Sequence, residues 1–316
     1  MKIALIGRKS GQSDSAHKNL SSMLTNFAEI ILKKGHEPIF DGETMSNFIL
    51  DTEFIKSSNE IFIVDYKFSD LAKIADVCIV MGGDGTMLNA AKALSSKTRE
   101  IPILGINLGR VGFITDVPHD FDPARIIKML EDYEYIIEKR TLLSLWGPAP
   151  KTTCVEILNY EIALNDVVIS RSTGKIIEFN VSIDNERAYT ARGDGLLVTT
   201  PTGSTAYALS GGGPIIHPTA RVIEILPIMA QSLSTRPLIV NDTAKVTFEL
   251  VSGDAEVYVD GNLHLEMKPG DHLEVKVNGE RQVKFIHPRM PELTYSYYNT
   301  LAEKLNWHHL PGTHRS

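Results

Sequence analysis

Residues 74–94 read IADVCIVMGGDGTMLNAAKAL. The run from Val77 to Met81 is apolar throughout, as a strand buried on both faces should be, and it breaks at Gly82-Gly83. The stretch from about Thr86 to Leu94 then has the composition of a helix, and Ile103 to Ile106 forms the next apolar run. Strand, glycine turn, helix and strand is the βαβ order, which predicts a parallel sheet with ligands at the carboxyl ends of its strands. Upstream, Ile3 to Ile6 reads as a strand and Leu20, Leu24, Phe27 and Ile31 recur at helical spacing. Ser13, Asp14 and Ser15 are candidate caps for that helix, Gly35 is a candidate stop, and Ile39-Phe40 resumes the sheet.

Beyond about residue 140 the period changes to two. Val246, Phe248 and Leu250; Val257 and Val259; Leu263, Leu265 and Met267; and Leu273, Val275 and Val277 read as half-buried strands. Turn signals at Ser252-Gly253-Asp254, Asp260-Gly261, Pro269-Gly270-Asp271 and Asn278-Gly279 separate them. The expected fold is an α/β N-terminal domain with a parallel sheet, residues 1–120, plus a largely all-β, sandwich-like C-terminal domain, residues 121–287. The tail 288–316, with Tyr298, Leu301 and Leu305 at helical spacing, is expected to dock back on the first domain.

A chain of 316 residues with 43% hydrophobic and 22% charged residues can bury a core without staples. No apolar segment approaches a bilayer span and the N-terminus turns polar too early for a signal peptide, so a cytoplasmic protein with no membrane partner is expected. Cys78 and Cys154 are the only cysteines, too few for a disulfide framework or a cysteine zinc cluster. The net charge of −7 argues against nucleic acid as a partner, which leaves local groups to hold any anionic ligand. His308, His309 and His314 read as a solvated tail rather than a metal site.

Three segments carry candidate chemistry. In MGGDGT, the glycines could supply a tight turn with Asp84 or Thr86 capping the helix. Alternatively, the absent β-carbons let a phosphate or ribose approach the helix N-terminus, with Asp84 as a base beside it. The pattern is neither a Walker loop nor a dinucleotide-binding fingerprint. Residues 193–218, GDGLLVTTPTGSTAYALSGGGPIIHP, concentrate small polar residues to a degree that favours wrapping a ligand, with a short helical start at Thr205 to Ser210 and Tyr207 as a stacking face. Asn165-Asp166 puts two polar groups into an apolar strand, as a bulge, a hairpin turn or a ligand site. Arg192 and Asp194 in TARGDGLL are open to the same readings.

Together, GGDGT, GINLGRVGFITD, Asn165-Asp166, DGLLVTTPTGSTAYALSGGGPI, VDGN near 260 and the YYNTLAEKLNW tail make the whole chain resemble the NAD kinase family. GGDGT alone is shared with diacylglycerol and sphingosine kinases and, in related form, with phosphofructokinases; the TPTGSTAY block discriminates. The resemblance implies phosphorylation of the 2′-hydroxyl of the adenosine ribose of NAD, with ATP as donor, Mg²⁺ or another divalent cation as cofactor, and a homo-oligomer, dimer or tetramer. It implies Asp84 as catalytic base and Gly85 as its neighbour at the ribose. Asn165 and Asp166 would hold the riboses and nicotinamide part, with Lys175, Arg192 and Asp194 as further contacts. Thr205, Ala206, Tyr207, Ala208, Leu209 and Ser210 would line the NAD pocket, joined by Asn262.

Three rival readings stand beside it, one of them a phosphofructokinase-type sugar kinase, which leaves the TPTGSTAY block unexplained. A lipid kinase would rest on GGDGT alone, and no basic amphipathic surface helix supports it. A non-catalytic NAD(P) sensor would keep the pocket without the chemistry, and a carboxylate facing a phosphate serves no pure binder.

Overall fold

The computed structural model describes residues 1–7, 14–42, 44, 62–66, 68–95, 99–109, 112–147 and 159–307. Ser13, Cys154, His308, His309 and His314 lie outside the described residues. The chain forms two compact units, Met1–Lys139 with Val283–Ser316, and Arg140–Gln282.

The first unit opens with β1 (Lys2–Gly7), α1 (Asp14–Lys33), β2 (Glu37–Asp41), β3 (Phe62–Tyr66) and α2 (Phe68–Ile74). It continues with β4 (Val77–Met81), α3 (Asp84–Leu94), β5 (Pro102–Asn107), the short β6 (Val117–Pro118) and α4 (Pro123–Asp132). The strands run in the order β5-β4-β1-β2-β3 and every pairing among them is parallel. Residues of β1 and β4 are buried at nearly every position, which is why these strands read as unbroken apolar runs. The expected α1 stripe of Leu20, Leu24, Phe27 and Ile31 packs into the core with Ile3, Leu5, Ile79 and Leu104, and Gly35 ends the helix region at φ +77°.

Helix α3 starts at Asp84, two residues before the expected Thr86, and neither side chain caps it. Gly83 occupies the cap position and no side-chain cap hydrogen bond is made there. The reason is that the Asp84 carboxylate is engaged elsewhere, as described below. At α4 local signals set both ends: Asp122 accepts from the Ala124 amide at 2.9 Å, Pro123 fills the first turn, and Tyr133 closes the helix in the left-handed region.

The second unit carries most of the β structure. Its chain runs through β7 (Tyr135–Gly147), β8 (Asn159–Ala163), β9 (Asp166–Arg171), β10 (Ile177–Ile183), β11 (Glu186–Gly193) and β12 (Gly195–Thr199). A 3₁₀ turn at Gly203–Thr205 and α5 (Tyr207–Ser210) precede β13 (Val222–Ile228), β14 (Leu238–Asn241), β15 (Lys245–Ser252), β16 (Ala255–Val259), β17 (Asn262–Met267) and β18 (His272–Met290). One antiparallel series is β11-β10-β15-β18 and the other is β14-β13-β12-β9-β16-β17. Alternate residues of both series share one core, with Phe179 and Phe248 stacked at 5.0 Å between centroids.

Three details depart from the sequence expectation. Asn278-Gly279 does not end a strand: β18 continues through it, although the Asn278 side chain accepts from the amides of Glu280 and Arg281 in a local, turn-like pattern. Leu263 is 57% exposed, because a register shift between Val257 and Tyr258 opposes it to Tyr258 rather than keeping it in phase with Leu265 and Met267. Asn165-Asp166 is not wholly inside a strand: Asn165 precedes β9 and Asp166 is its first residue, paired with Thr199. Leu164 and Asn165 form the corner between β8, which pairs with β7, and β9, which pairs with β12 and β16.

From Val283 onward β18 belongs to the first unit, where Lys284 and Phe285 pair in parallel with Pro102 and Ile103 of β5. After β19 (Leu293–Thr294), Ser296 caps α6 (Tyr297–Lys304). This helix buries Tyr297, Thr300 and Leu301; the expected Tyr298 points to solvent, since the buried stripe begins one residue earlier.

Candidate functional site

In the first unit, β4 ends at Met81 and delivers Asp84 to the first turn of α3. The carboxylate reaches the segment that follows β5. Oδ2 accepts from the Phe113 amide at 2.9 Å, and Oδ1 accepts from the Ile114 amide at 3.3 Å and the Thr115 hydroxyl at 3.0 Å. The Thr115 hydroxyl in turn accepts from Asn107 Nδ2 at 2.8 Å. Two glycines make this approach possible: a β-carbon on Gly112 would strike the Asp84 carboxylate, and one on Gly82 would strike Thr86. A carboxylate offers about four acceptor directions, so three donors orient it and leave one. Lys304 of α6 lies over the Phe113 ring at 5.9 Å, a further hold on the same segment.

In the second unit a cavity of about 400 Å³ is lined by Asn165, Asp166, Val168, Ser170, Ala206, Tyr207, Tyr258, Asp260 and Gly261. Its frame is the Asp260 carboxylate. Oδ2 accepts from the Leu164 amide at 3.0 Å, and Oδ1 accepts from those of Asn165 at 2.8 Å and Asp166 at 3.1 Å. Asp260 can do this because it and Gly261 adopt φ of +47° and +80°, the two-residue hairpin conformation that Asp-Gly favours. On the other side, the carbonyl of Asn165 accepts from the Thr199 hydroxyl and the Thr200 amide, both at 2.9 Å, and a β-carbon on Gly203 would collide with it. Asp166 is 4% exposed, and burial together with the nearby Asp260 charge pushes its carboxyl up to about 7. Near neutrality it can therefore donate or accept a hydrogen bond. Tyr207 stands half exposed at the rim with its ring available.

Against known proteins, residues 10–135 match the ATP-NAD kinase N-terminal domain and residues 164–288 match the ATP-NAD kinase C-terminal domain. The chain belongs to the ATP-NAD kinase family. Among curated relatives, an NAD kinase of Ralstonia nicotianae is 37% identical over 98% of this chain and 94% of its own length. An NAD kinase of Laribacter hongkongensis is 43% identical over 76% of this chain and 79% of its own. Two solved structures share the fold. Yeast NADH kinase complexed with NADH superposes with a TM-score of 0.82 at 21% identity, covering 99% of this chain and 89% of the yeast chain. An NAD kinase from Archaeoglobus fulgidus in complex with ATP gives 0.68 at 20% identity, covering 97% and 99%.

Of the residues singled out in the sequence, the cavity gathers Asn165, Asp166, Ala206 and Tyr207. Asp84 and Gly85 belong to the first unit. The others are not among the cavity's lining. Lys175 is exposed in the connection between β9 and β10, which belong to different sheets, and Asn262 is exposed at the β16–β17 hairpin. Arg192 lies 3.7 Å from Glu178, and Asp194 pairs with Arg171 at 2.8 Å. The Thr205 hydroxyl bonds back to the Thr202 carbonyl, Ala208 is buried against Val168 and Leu226, Leu209 is half buried and Ser210 is exposed. The triple glycine read as ligand-wrapping serves packing at two positions, since β-carbons on Gly211 and Gly213 would meet Leu226 and Glu224 of β13. Sequence reading passed over Asp260, seen only as half of a turn signal; a carboxylate at a hairpin tip with a polar pair ninety residues upstream carries no local sign of a contact.

Proposed function

We propose that this chain transfers the γ-phosphoryl of ATP to the 2′-hydroxyl of the adenosine ribose of NAD, giving NADP and ADP, with Asp84 as general base. Membership of the family supports the reaction, and the observation that carries the role of Asp84 is its carboxylate, held by three donors with one acceptor direction left. In that direction it would orient the ribose hydroxyl and take its proton as the oxygen–phosphorus bond forms and the bond from the γ-phosphorus to the β,γ-bridging oxygen breaks. A hydroxyl is far less acidic than a carboxylic acid, so the proton moves with bond formation and not before it. Gly85, without a side chain beside Asp84, would let the ribose approach.

The cavity of the second unit would take the dinucleotide, with Asn165 and Asp166 hydrogen-bonding ribose hydroxyls and the nicotinamide part and Tyr207 stacking on a ring. Ala206 would contribute its backbone. The family resemblance also implies contacts from Lys175, Arg192, Asp194, Thr205, Ala208, Leu209, Ser210 and Asn262, which would be made outside this cavity's lining. No group of three or more His, Cys, Asp or Glu among the described residues is arranged to hold a metal ion. Mg²⁺ would be carried on the ATP phosphates, the usual mode for a cation that keeps most of its water and neutralises phosphate charge. A cytoplasmic homo-oligomer is the expected state of the enzyme; among the described residues no helix is long and apolar enough to cross a membrane.

The test is a coupled assay with NAD, ATP and Mg²⁺ in which an NADP-specific dehydrogenase reads the product, run beside Asp84→Asn. NADP formation that the variant loses while still binding NAD supports the assignment. Unchanged turnover in the variant would remove Asp84 from the role of base.

A further inference from the structure

The segment that aims Asp84 is itself held by a buried charged triad. Immediately after Thr115, Asp116 presents its carboxylate to Nδ1 of His287 at 3.0 Å, while Nε2 of the same ring faces Oε1 of Glu138 at 3.3 Å. His287, from the returning half of β18, is 1% exposed, and the side chains of Asp116 and Glu138 are nearly as sheltered. The Tyr295 ring stacks on the imidazole at 3.8 Å and 15°. A neutral imidazole has one donor and one acceptor nitrogen, so it can satisfy only one of two facing carboxylates. The doubly protonated ring satisfies both.

We propose that His287 is a positioning residue for phosphoryl transfer, its imidazolium clamping Asp116 and thereby fixing the 113–115 segment that orients the Asp84 carboxylate. This rests on the reading of Asp84 as base. The path is short and continuous: His287 to Asp116, one peptide to Thr115, and Thr115 with the amides of Phe113 and Ile114 to Asp84. The charged groups facing His287 are Asp116 from the segment before β6 and Glu138 from β7, with Tyr295 presenting a ring face. Burial opposes the charge on the ring, while hydrogen bonds and attraction from the two carboxylates outweigh it and raise the group above its ordinary value. The clamp is therefore complete below about pH 6.5 and loosens as pH rises through the elevated value, when the ring can no longer donate to both carboxylates.

The experiment compares wild type, His287→Gln and Glu138→Gln in steady-state kinetics from pH 6 to 9.5, with hydrogen exchange of the peptide covering 112–116 followed by mass spectrometry. Wild-type kcat should fall on the alkaline side. His287→Gln should lower kcat at pH 7 roughly ten- to a hundredfold, the range expected for a misaimed catalytic group, with KM for NAD and ATP changed less than about threefold. It should also lack the alkaline limb and exchange faster at 112–116. Glu138→Gln, which keeps the ring and Asp116, should move the limb to lower pH. A His287→Gln enzyme with wild-type kcat and limb, or exchange at 112–116 that neither variant alters, overturns the clamp. If wild type forms no NADP, the phosphoryl-transfer reading fails separately, and the exchange data still decide whether His287 holds the segment.

Discussion

Gly112 backs onto the carboxylate of Asp84 so closely that a β-carbon there would fall on Oδ1. No rotation of a methyl group relieves such a contact, and either the carboxylate or the segment must move. Gly112→Ala should therefore lower kcat by about a hundredfold or more, as expected of a displaced catalytic group, while NAD affinity measured by calorimetry stays within about twofold. Normal turnover in that variant would mean that the position of the carboxylate does not matter to the rate.

Asp260 is predicted to set NAD affinity without touching the reacting atoms. Removing its carboxylate in Asp260→Ala orphans three consecutive amides at the corner that carries Asn165 and Asp166. Each buried donor left unpaired costs about 1–3 kcal/mol, so the midpoint of denaturant unfolding should drop and Kd for NAD should rise about tenfold or more. An unaltered Kd in a folded variant would separate the corner from the binding site.

Glu224 predicts an unusual pH dependence of stability. It is fully buried in β13 opposite Thr199, and neither carboxylate oxygen has a hydrogen-bond partner. Burial raises its carboxyl from 4.5 to about 7. Between those values the folded state holds a proton that the unfolded state has lost, so this group's contribution to stability falls as pH rises from 4.5 to 7 and levels off above. Asp166 adds the same sign over 3.8 to about 7. Glu224→Leu should stabilise the protein by about 2–3 kcal/mol more at pH 8 than at pH 5. Thermal melts at the two pH values decide it, and a pH-independent difference would contradict the buried-acid account.

Tyr207 offers a simpler test of the rim. Tyr207→Ala should weaken NAD binding several-fold, in line with about 0.5–1.5 kcal/mol for an aromatic contact, and leave the melting temperature nearly unchanged because the ring is half exposed. A large loss of stability would make it a packing residue instead.

The βαβ core was legible because buried parallel strands write themselves as apolar runs, and Val77 to Met81 and Ile103 to Ile106 occupy the expected strands. Asp84 was legible because glycines fence it. The exceptions share a physical cause, that long-range partners override local signals. Asn278-Gly279 has turn chemistry but lies within the nineteen-residue strand β18, and the α3 cap failed because Asp84 finds its donors about thirty residues later. Asp260, Asp116 and His287 were invisible as a site because each acts through a residue distant in sequence.

The strand β18 has a consequence for biosynthesis. Its residues from Val283 complete the edge of β5, so the first unit lacks a strand until synthesis has passed Phe285. Residues 140–282 are contiguous and can reach their native contacts earlier. The half that is translated first thus completes its sheet only after residues 140–282 have been made, and the segment aiming Asp84 gains its His287 anchor only then.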